Sequence, residues 1–190
     1  MALDADESAV REWATKENLT MPVLIDKFHI VADLYGIVNV PAAIWVDEND
    51  KIVRPADSIP GSDMFRSFTN VDSEVHHNLL RKWVRSDERD LDDAGVRKFQ
   101  VKPSQDVQLA RLHRRIAIAL RERNHDGDSS VSREHLARAE ALAPHDWTIR
   151  RGNMPLVGAD PFGDEFFKFV GEWSQAGRPG FKLGTGRETS

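Results

Sequence analysis

Hydrophobic and polar residues follow two different periods along the first part of this 190-residue chain. A brief apolar start predicts the end of a strand, and apolar side chains then recur at helical spacing from Val10 to Ala14. Asp4 and Glu7, three residues apart, have the form of a capping pair for a helix that ends near Asn18. The pattern therefore predicts a strand end followed by a helix.

A buried strand and a second, shorter helix are predicted next. The apolar run MPVLID indicates a strand at 23–25. An apolar stripe from Phe28 to Tyr35 has helical spacing, and Gly36 is the expected C-terminal cap. Strands and helices thus alternate along this part of the chain.

Two β-rich segments after this helix predict a hairpin. They lie at 43–46 and 51–54, and the polar turn DENDK between them has a length suited to an antiparallel return. The segment PADSIPGSDM at 55–64 is punctuated by proline and glycine, which predicts a loop. A helix is then predicted at 72–85. This order of elements predicts an α/β fold class, with helices layered on a sheet.

The chain changes character after residue 85. Residues 86–103 are charged and poorly periodic, which predicts a linker with room for a short helical turn. Residues 104–176 carry apolar positions at helical spacing, which predicts an all-α region. The glycine-rich segment 177–190 is expected to be a flexible tail. With a first domain at 1–85, the prediction is two structured regions, a linker and a tail.

Polar residues mark the expected helix ends in this all-α region. Ser104 is a favourable N-cap for its first helix. Ser132 is expected to begin a second helix that Pro144 ends, and Asp146 is expected to cap a third at Trp147. The apolar stripe of the first helix consists of Val107, Leu109, Leu112, Ile116, Ala119 and Leu120. The aromatic residues expected to form the core of the region, rather than a docking surface, are Trp147, Phe162, Phe166, Phe167, Phe169 and Trp173.

The net charge of -5 and the absence of cysteine restrict the candidate functions. An acidic chain lacks the electrostatic footprint of a nucleic-acid-binding protein, so no nucleic-acid partner is predicted. The apolar runs are far shorter than the roughly 20 residues that cross a bilayer. Because the acidic N-terminus is also unlike a signal peptide, we expect a cytoplasmic chain with no membrane span. Zero cysteines exclude thiol chemistry and thiolate metal sites in this chain.

Histidines and carboxylates give no metal site by their spacing. His76 and His77 are adjacent, so they point in different directions on a helix and are expected to be a surface pair. The segment NHDGDSS has acidic residues at alternate positions, as a calcium loop does, but it lacks the closing glutamate and predicts a solvated turn. No metal or cofactor is predicted. Histidines without a partner at ligand spacing are His113, His135 and His145. The aspartates considered as acid–base groups, with capping or turn roles preferred for the first and last, are Asp26, Asp33 and Asp47.

The segment VLIDKFHIVADLYGIVNVPAAIWVDENDKIVRP resembles the later part of a thioredoxin-like domain of the TlpA/ResA and redoxin group. In that group an extended strand and the pattern D…VA..YGV..VP lead into a strand ending in Asp, followed by a turn and IV. The resemblance covers about 1–55, and its motifs are specific in their order and spacing rather than one at a time. The matching residues are Val31–Ala32, Tyr35–Gly36, Val40–Pro41, Asp47 and Ile52–Val53.

The resemblance implies a partial thioredoxin-like sheet with a substrate-binding wall at Val40 and Pro41. It also implies a cis Val40–Pro41 bond, and a residue 40 whose backbone pairs with an extended partner. The intact relative would be a thiol–disulfide oxidoreductase or thiol peroxidase that acts on a protein thiol, a disulfide or a peroxide. No catalytic residue is assigned in this chain, because the family's cysteines are absent from it.

The family's Cys-x-x-Cys motif is missing from this chain, and the order of elements in the family offers a reason. In the group that motif precedes the elements matched here, so the chain is expected to begin downstream of its active site. A misplaced start codon, or a stop codon read as selenocysteine, would each produce this arrangement, and translating the DNA upstream of Met1 tests it. Omitting a central strand would expose sheet edges, which predicts self-association.

Two questions stay open at the level of sequence. The stretch LARAEALAP at 136–144 weakly resembles the end of a tetratricopeptide repeat, and a helical cap on the α/β domain fits the same residues equally well. The alternative to a redox protein is a non-catalytic thioredoxin-like interaction module, in which the scaffold binds extended peptides and the helical region recruits partners.

Overall fold

The computed structural model of the chain describes residues 1–3, 6–38, 40–58, 63, 72–100, 102–177 and 179. Most of the predicted tail at 177–190 lies outside these residues, as does the predicted capping residue Asp4. The chain divides into two compact units, Met1–Leu34 with Ser104–Gln175 and Tyr35–Pro103 with Ala176–Ser190. The predicted domain bounds at 85 and 104 come from the change in charge and periodicity along the sequence, and they stay a prediction.

The described residues combine many helices with one small antiparallel sheet of two strands. This agrees with the predicted α/β class only in that helices and strands both occur. Within the described part of the chain, none of the helices combines the length and the apolarity that a bilayer crossing requires. In chain order the elements are α1 (Glu7–Lys16), α2 (Ile30–Leu34), β1 (Ala42–Val46), β2 (Ile52–Ser58), α3 (Ser73–Ser86), α4 (Asp93–Phe99), α5 (Gln105–Arg123), α6 (Asp128–Leu142), α7 (Trp147–Asn153), a 3₁₀ turn (Pro155–Val157) and α8 (Asp164–Gln175).

Side-chain caps begin several helices of the first unit. The Asp6 carboxylate caps α1 by accepting the Ser8 N–H at 2.9 Å and the Ala9 N–H at 3.2 Å. The predicted caps Ser104 and Asp146 are confirmed, since each accepts a backbone N–H of the following turn. These caps satisfy N–H groups that have no partner within the helix.

Helix α6 begins at Asp128, four residues before the predicted start at Ser132. Gly127 precedes it in a left-handed conformation, with φ at 83°, which a glycine adopts without steric cost. The Asp128 carboxylate accepts hydrogen bonds from the Arg123 guanidinium and from the backbone N–H of His125. The NHDGDSS segment is an exposed turn from Asn124 to Gly127, as predicted, and it ends at Asp128, which is buried and begins α6.

The two predicted N-terminal strands reduce to one isolated parallel bridge between Ala2 and Ile25. The Ala2 N–H donates to the Leu24 carbonyl at 2.7 Å, and the Asp26 N–H donates to the Ala2 carbonyl at 2.9 Å. The prediction of a buried strand at 23–25 is wrong, because Leu24 is 65% exposed and Ile25 is 37% exposed. The segment is apolar, but among the described residues it pairs only through this one bridge.

Helix α5 buries a different side from the one predicted. The prediction is wrong because α5 and α6 contact each other through alanines. Ala110 of α5 and Ala139 of α6 are both fully buried, in one cluster with Ala143 and Ile149. Alanine permits close contact between two helices, so the bulkier residues of the predicted stripe turn outward. The stripe residues left exposed are Leu109, Leu112 and Ile116. The α5 residues that are buried instead are Ala110, Arg111, Arg114, Ala117 and Ile118.

The aromatic core predicted at the end of the first unit is largely confirmed. The Trp147 ring lies edge-on to Phe169 and to Trp173, each at 5.1 Å between ring centroids. Phe169 and Trp173 are buried together with Met154. The exceptions are Phe162 and Phe167, which are 66% and 64% exposed.

The predicted hairpin is confirmed in the second unit, and it is longer than expected. Strand β2 continues to Ser58, which pairs with Ala42 at the start of β1, so Pro55 to Ser58 are not part of a loop. The turn is held by the Asp47 carboxylate, which accepts the backbone N–H groups of Asn49 and Lys51, both at 3.0 Å. Proline is compatible with an edge strand because its missing N–H is not needed there.

Two helices accompany the hairpin in this unit. Helix α3 begins after Asp72, whose carboxylate accepts the Glu74 N–H at 3.0 Å. Helix α4 lies within the predicted linker, where Asp92 caps it by accepting the Gly95 N–H at 2.7 Å. The region 86–103 is thus more ordered than its charge and weak periodicity predicted, because local capping and a salt bridge from Lys51 to Asp93 stabilise it.

Candidate functional site

Val40 and Pro41, the predicted substrate-binding residues, lie at the entry to β1. The Val40–Pro41 peptide bond is cis. The Val40 side chain is 68% exposed, and Pro41 is also exposed. Strand pairing begins at the next residue, where Ala42 faces Ser58. The structure therefore places an exposed apolar residue immediately before the paired part of the hairpin.

An aromatic stack lies further along the same strand. The Trp45 ring is 6% exposed and stacks on Trp83 of α3, with 5.3 Å between ring centroids and 7° between the planes. The Arg54 guanidinium lies over the Trp45 ring at 5.0 Å from its centroid. These two ring contacts help to fix the orientation of Trp45 within its unit.

Arg54 is the centre of a buried charge network that sequence reasoning missed. The guanidinium is 0% exposed, donates to the Asp57 carboxylate at 3.1 Å and also donates to Asp90. His76 approaches the same Asp57 carboxylate, with 3.9 Å from Nδ1 to Oδ2. Burial lowers the pKa of His76 against the opposing pull of Asp57. The available signal was an arginine and an aspartate three residues apart in an otherwise apolar strand segment.

The predicted surface pair at His76 and His77 is therefore wrong for its first member. His76 is 7% exposed, because α3 turns this side of the helix toward β2. His113 and His135, which lack a partner at ligand spacing in sequence, lie against each other with 2.7 Å between their Nδ1 atoms. Sequence spacing could not show this pair, since one residue is on α5 and the other is on α6. Within the described ranges, His, Cys, Asp and Glu side chains form no group of three placed to hold a metal ion.

The three candidate aspartates have structural partners. The Asp26 carboxylate accepts the backbone N–H groups of Ile30 and Ala32, both at 2.8 Å, which confirms its capping role at α2. Asp47 holds the hairpin turn, and the hydrogen bonds from Lys51 and Asn49 lower its pKa. Asp33 receives ion pairs from arginines of α5, and burial raises its pKa against their attraction.

The comparisons with known proteins give one partial likeness. Two thiol-disulfide oxidoreductases named ResA match, one from Bacillus thuringiensis subsp. konkukian (strain 97-27) and one from Bacillus cereus (strain ATCC 10987 / NRS 248). Each is 34% identical to this chain over 56 residues, which are 28% of this chain and 32% of the relative. The chain therefore spans about a third of the length of the curated relatives it matches. No protein-family model matches the chain, and no solved structure matches it.

This likeness supports a thioredoxin-like family for the matching segment and agrees with the resemblance seen in the sequence. The chemistry in the relatives' name, thiol–disulfide exchange, needs a thiolate as the attacking group. This chain has no cysteine, so its own residues supply no such group. What the described residues show at the predicted wall is an exposed entry to β1.

Proposed function

We propose that this chain is part of a thioredoxin-like protein of the TlpA/ResA and redoxin type, in which Val40 and Pro41 form the wall that binds an extended polypeptide. The complete protein would be a thiol–disulfide oxidoreductase or a thiol peroxidase. The chain itself would bind but would not exchange disulfides, since it contains no cysteine. The observation that carries the proposal is the partial match to ResA, whose name states that activity.

The geometry of the hairpin supports the binding role. Val40 is 68% exposed and directly precedes the first paired residue of β1, so an extended segment can align beside it without displacing a core residue. Binding by strand addition takes its affinity from main-chain hydrogen bonds and its selectivity from alternate side chains. Self-association through the edges of β1 or β2 is the corresponding proposal for two copies of the chain.

A binding measurement tests the proposal on the chain as it exists. The probe is fluorescein-labelled insulin B chain whose cysteines are carboxymethylated, so that the probe is extended and cannot form disulfides. Fluorescence anisotropy should show saturable binding that Val40→Asp weakens, because a carboxylate at the wall removes apolar contact. Val84→Asp is the matched control, since Val84 is 71% exposed in the same unit and lies on α3. Equal binding by both variants, or no binding by the original chain, would overturn the proposal.

An insulin-reduction assay measures the second part of the proposal. The chain should not accelerate reduction of insulin by dithiothreitol, because no thiolate is available to attack the disulfide. An acceleration above the rate of a cysteine-free control protein would contradict this expectation.

The second candidate is a non-catalytic interaction module whose helical region binds a partner. The observation that favours it is the exposed apolar side of α5, where Leu112 is 50% exposed and Ile116 is 44% exposed. The weak tetratricopeptide resemblance of 136–144 belongs to this candidate. Leu112→Asp distinguishes the two functions, because it should reduce partner binding in the second and leave the insulin B chain titration unchanged in the first.

A further inference from the structure

Two histidines face each other across the helical pair of α5 and α6. The Nδ1 atoms of His113 and His135 are 2.7 Å apart, and the two ring planes are tilted by 41°. Both residues are partly exposed, and the neighbours Leu112 and Ile116 on the same part of α5 are exposed. Solvent, and an ion dissolved in it, therefore reaches the region where the two rings meet.

Contacts on either side of this pair hold the two helices together. Toward the turn between the helices, the Ser132 hydroxyl of α6 donates to the Ala117 carbonyl of α5 at 3.0 Å. In the opposite direction, Ala110 of α5 and Ala139 of α6 are both fully buried in one cluster. The backbone positions of the two histidines are therefore fixed before any ligand binds. A ligand that contacts both rings loses less conformational entropy because of this arrangement.

The distance between the two Nδ1 atoms suits a particular metal geometry. Imidazole nitrogens bind Zn²⁺ at about 2.0–2.1 Å. With bonds of that length, two ligands at adjacent corners of a square plane are about 2.9 Å apart, whereas two ligands of a tetrahedron are about 3.4 Å apart. The observed separation of 2.7 Å is closer to the square-planar value. Square-planar and tetragonal nitrogen sites are typical of Cu²⁺ and Ni²⁺.

The groups around the pair determine the expected affinity. Both rings can bind one ion through Nδ1 only if each carries its proton on Nε2, so the ring that donates in the hydrogen bond changes tautomer on binding. The charge of Arg138 acts on His113 from nearby and opposes a cation, although solvent screens it because Arg138 is exposed. In the described part of the chain, a third His, Asp or Glu ligand does not join the pair. Water therefore completes the coordination, and the expected affinity is moderate.

We propose that His113 and His135 form a two-histidine chelating site for a divalent transition-metal ion, Cu²⁺ or Ni²⁺, which binds through both Nδ1 atoms. The bound ion joins α5 to α6 and replaces the hydrogen bond between the rings. The site belongs to the first unit, whereas the proposed polypeptide-binding wall belongs to the second. Failure of one proposal therefore leaves the other unaffected.

A titration of the full chain with Cu²⁺ tests the site without any substitution. The chain is first freed of metal by a chelator, and ¹H–¹⁵N spectra are recorded at substoichiometric Cu²⁺. Paramagnetic broadening should appear first at the amides of His113, His135 and their neighbours. Mg²⁺ prefers oxygen ligands and should leave these signals unchanged. Broadening that begins at another histidine, such as His77 or His145, would overturn the proposal.

Single substitutions measure the contribution of each ring. His113→Gln and His135→Gln should each weaken Cu²⁺ binding by about tenfold or more, because the second ligand of a chelate binds at a high effective concentration. The electron paramagnetic resonance spectrum should change from coupling to two nitrogens to coupling to one. His125→Gln is the matched control, since His125 is exposed in the turn between the same two helices. Equal affinity in all three variants would contradict the assignment.

The double variant distinguishes a chelate from two independent rings. In a chelate, the second substitution has a smaller effect than the first, because a single ring retains little affinity. Equal losses at each step would indicate independent binding and would overturn the proposal. Far-ultraviolet circular dichroism verifies that the helices are retained, and the broadening experiment on the original chain decides the question if a variant does not fold.

Discussion

His113 and His135 share one hydrogen bond across α5 and α6, with 2.7 Å between their Nδ1 atoms and 4.9 Å between their ring centroids. One imidazole has to donate and the other has to accept, so the contact requires that at least one Nδ1 is unprotonated. Burial and the neighbouring His135 lower the pKa of His113, and Arg138 adds to the effect. The environment of His113 therefore favours its neutral ring in the folded state.

This relationship predicts a pH-dependent stability. Because the folded pKa of His113 lies below its ordinary value of 6.5, the unfolded chain binds more protons in that window, and stability falls as pH decreases through it. His29 and His76 have lowered pKa values and act in the same direction. Urea unfolding should give a higher free energy at pH of about 7.5 than at about 5.5.

His113→Gln should reduce this pH dependence, since one of the contributing groups no longer titrates. His125→Gln is the control, because His125 is exposed and outside the pair. If the free energy of unfolding changes between the two pH values as much in His113→Gln as in the original chain, the contact does not control the titration.

Gly152→Ala should destabilise the first unit. A Cβ at this position would lie 3.2 Å from Nη2 and 3.3 Å from Nε of Arg114, so the buried guanidinium would have to move. Such overpacking typically costs about 1–3 kcal/mol. Because the guanidinium is buried, we expect this cost to exceed the roughly 0.5–1 kcal/mol that alanine gains over glycine within α7. The measurement is the free energy of urea unfolding.

Gly171→Ala is the matched control for that substitution. Gly171 lies within α8, and a Cβ there would meet no atom within 4 Å. The same substitution should stabilise the chain by roughly 0.5–1 kcal/mol, because alanine favours the helix. Opposite signs for the two glycines are the expected result, and equal effects would contradict the Arg114 contact.

Asp57→Asn should cost about 3 kcal/mol or more, because it removes the charge of a carboxylate that is buried against the Arg54 guanidinium. The comparison is Asp93→Asn, which breaks the ion pair to Lys51. Both of those side chains are about half exposed, and ion pairs between exposed side chains contribute little to stability, so the loss should be much smaller. Similar losses in the two variants would show that the Arg54 network is not a stabilising centre of the second unit.

Trp83→Ala should destabilise the hairpin, since Trp45 loses the ring that stacks on it at 5.3 Å. We expect a loss of at least about 1 kcal/mol from the stacking and the buried area together. Trp13→Ala is the control, because Trp13 is 55% exposed. Near-ultraviolet circular dichroism should lose the signal of the Trp45 environment in Trp83→Ala and keep it in Trp13→Ala.

Sequence patterns predicted the positions of helices and of the hairpin more accurately than they predicted which side chains are buried. The hairpin turn was predictable because Asp47 satisfies N–H groups only two and four residues further along. The buried strand at 23–25 was predicted from its apolar run alone, and it is wrong because a strand needs a neighbour that the local sequence does not specify. For the candidate site, the order of the family motifs indicated Val40 and Pro41. The sequence did not indicate the Arg54 network, because its members lie on β2, on α3 and at Asp90, which is 36 positions from Arg54.

The sequence by itself determined where the helices of the all-α region begin, because a cap such as Ser104 or Asp146 acts on N–H groups within the next turn. Only the tertiary structure decided which side of α5 is buried. Arg111 and Arg114 are buried whereas Leu109 and Leu112 are exposed. Asp33 and Asp146, remote in sequence, supply carboxylates to Arg111, and Ala139 supplies a close helix contact. Hydrogen bonds within a turn depend on neighbours along the chain, whereas burial depends on partners that only folding brings together.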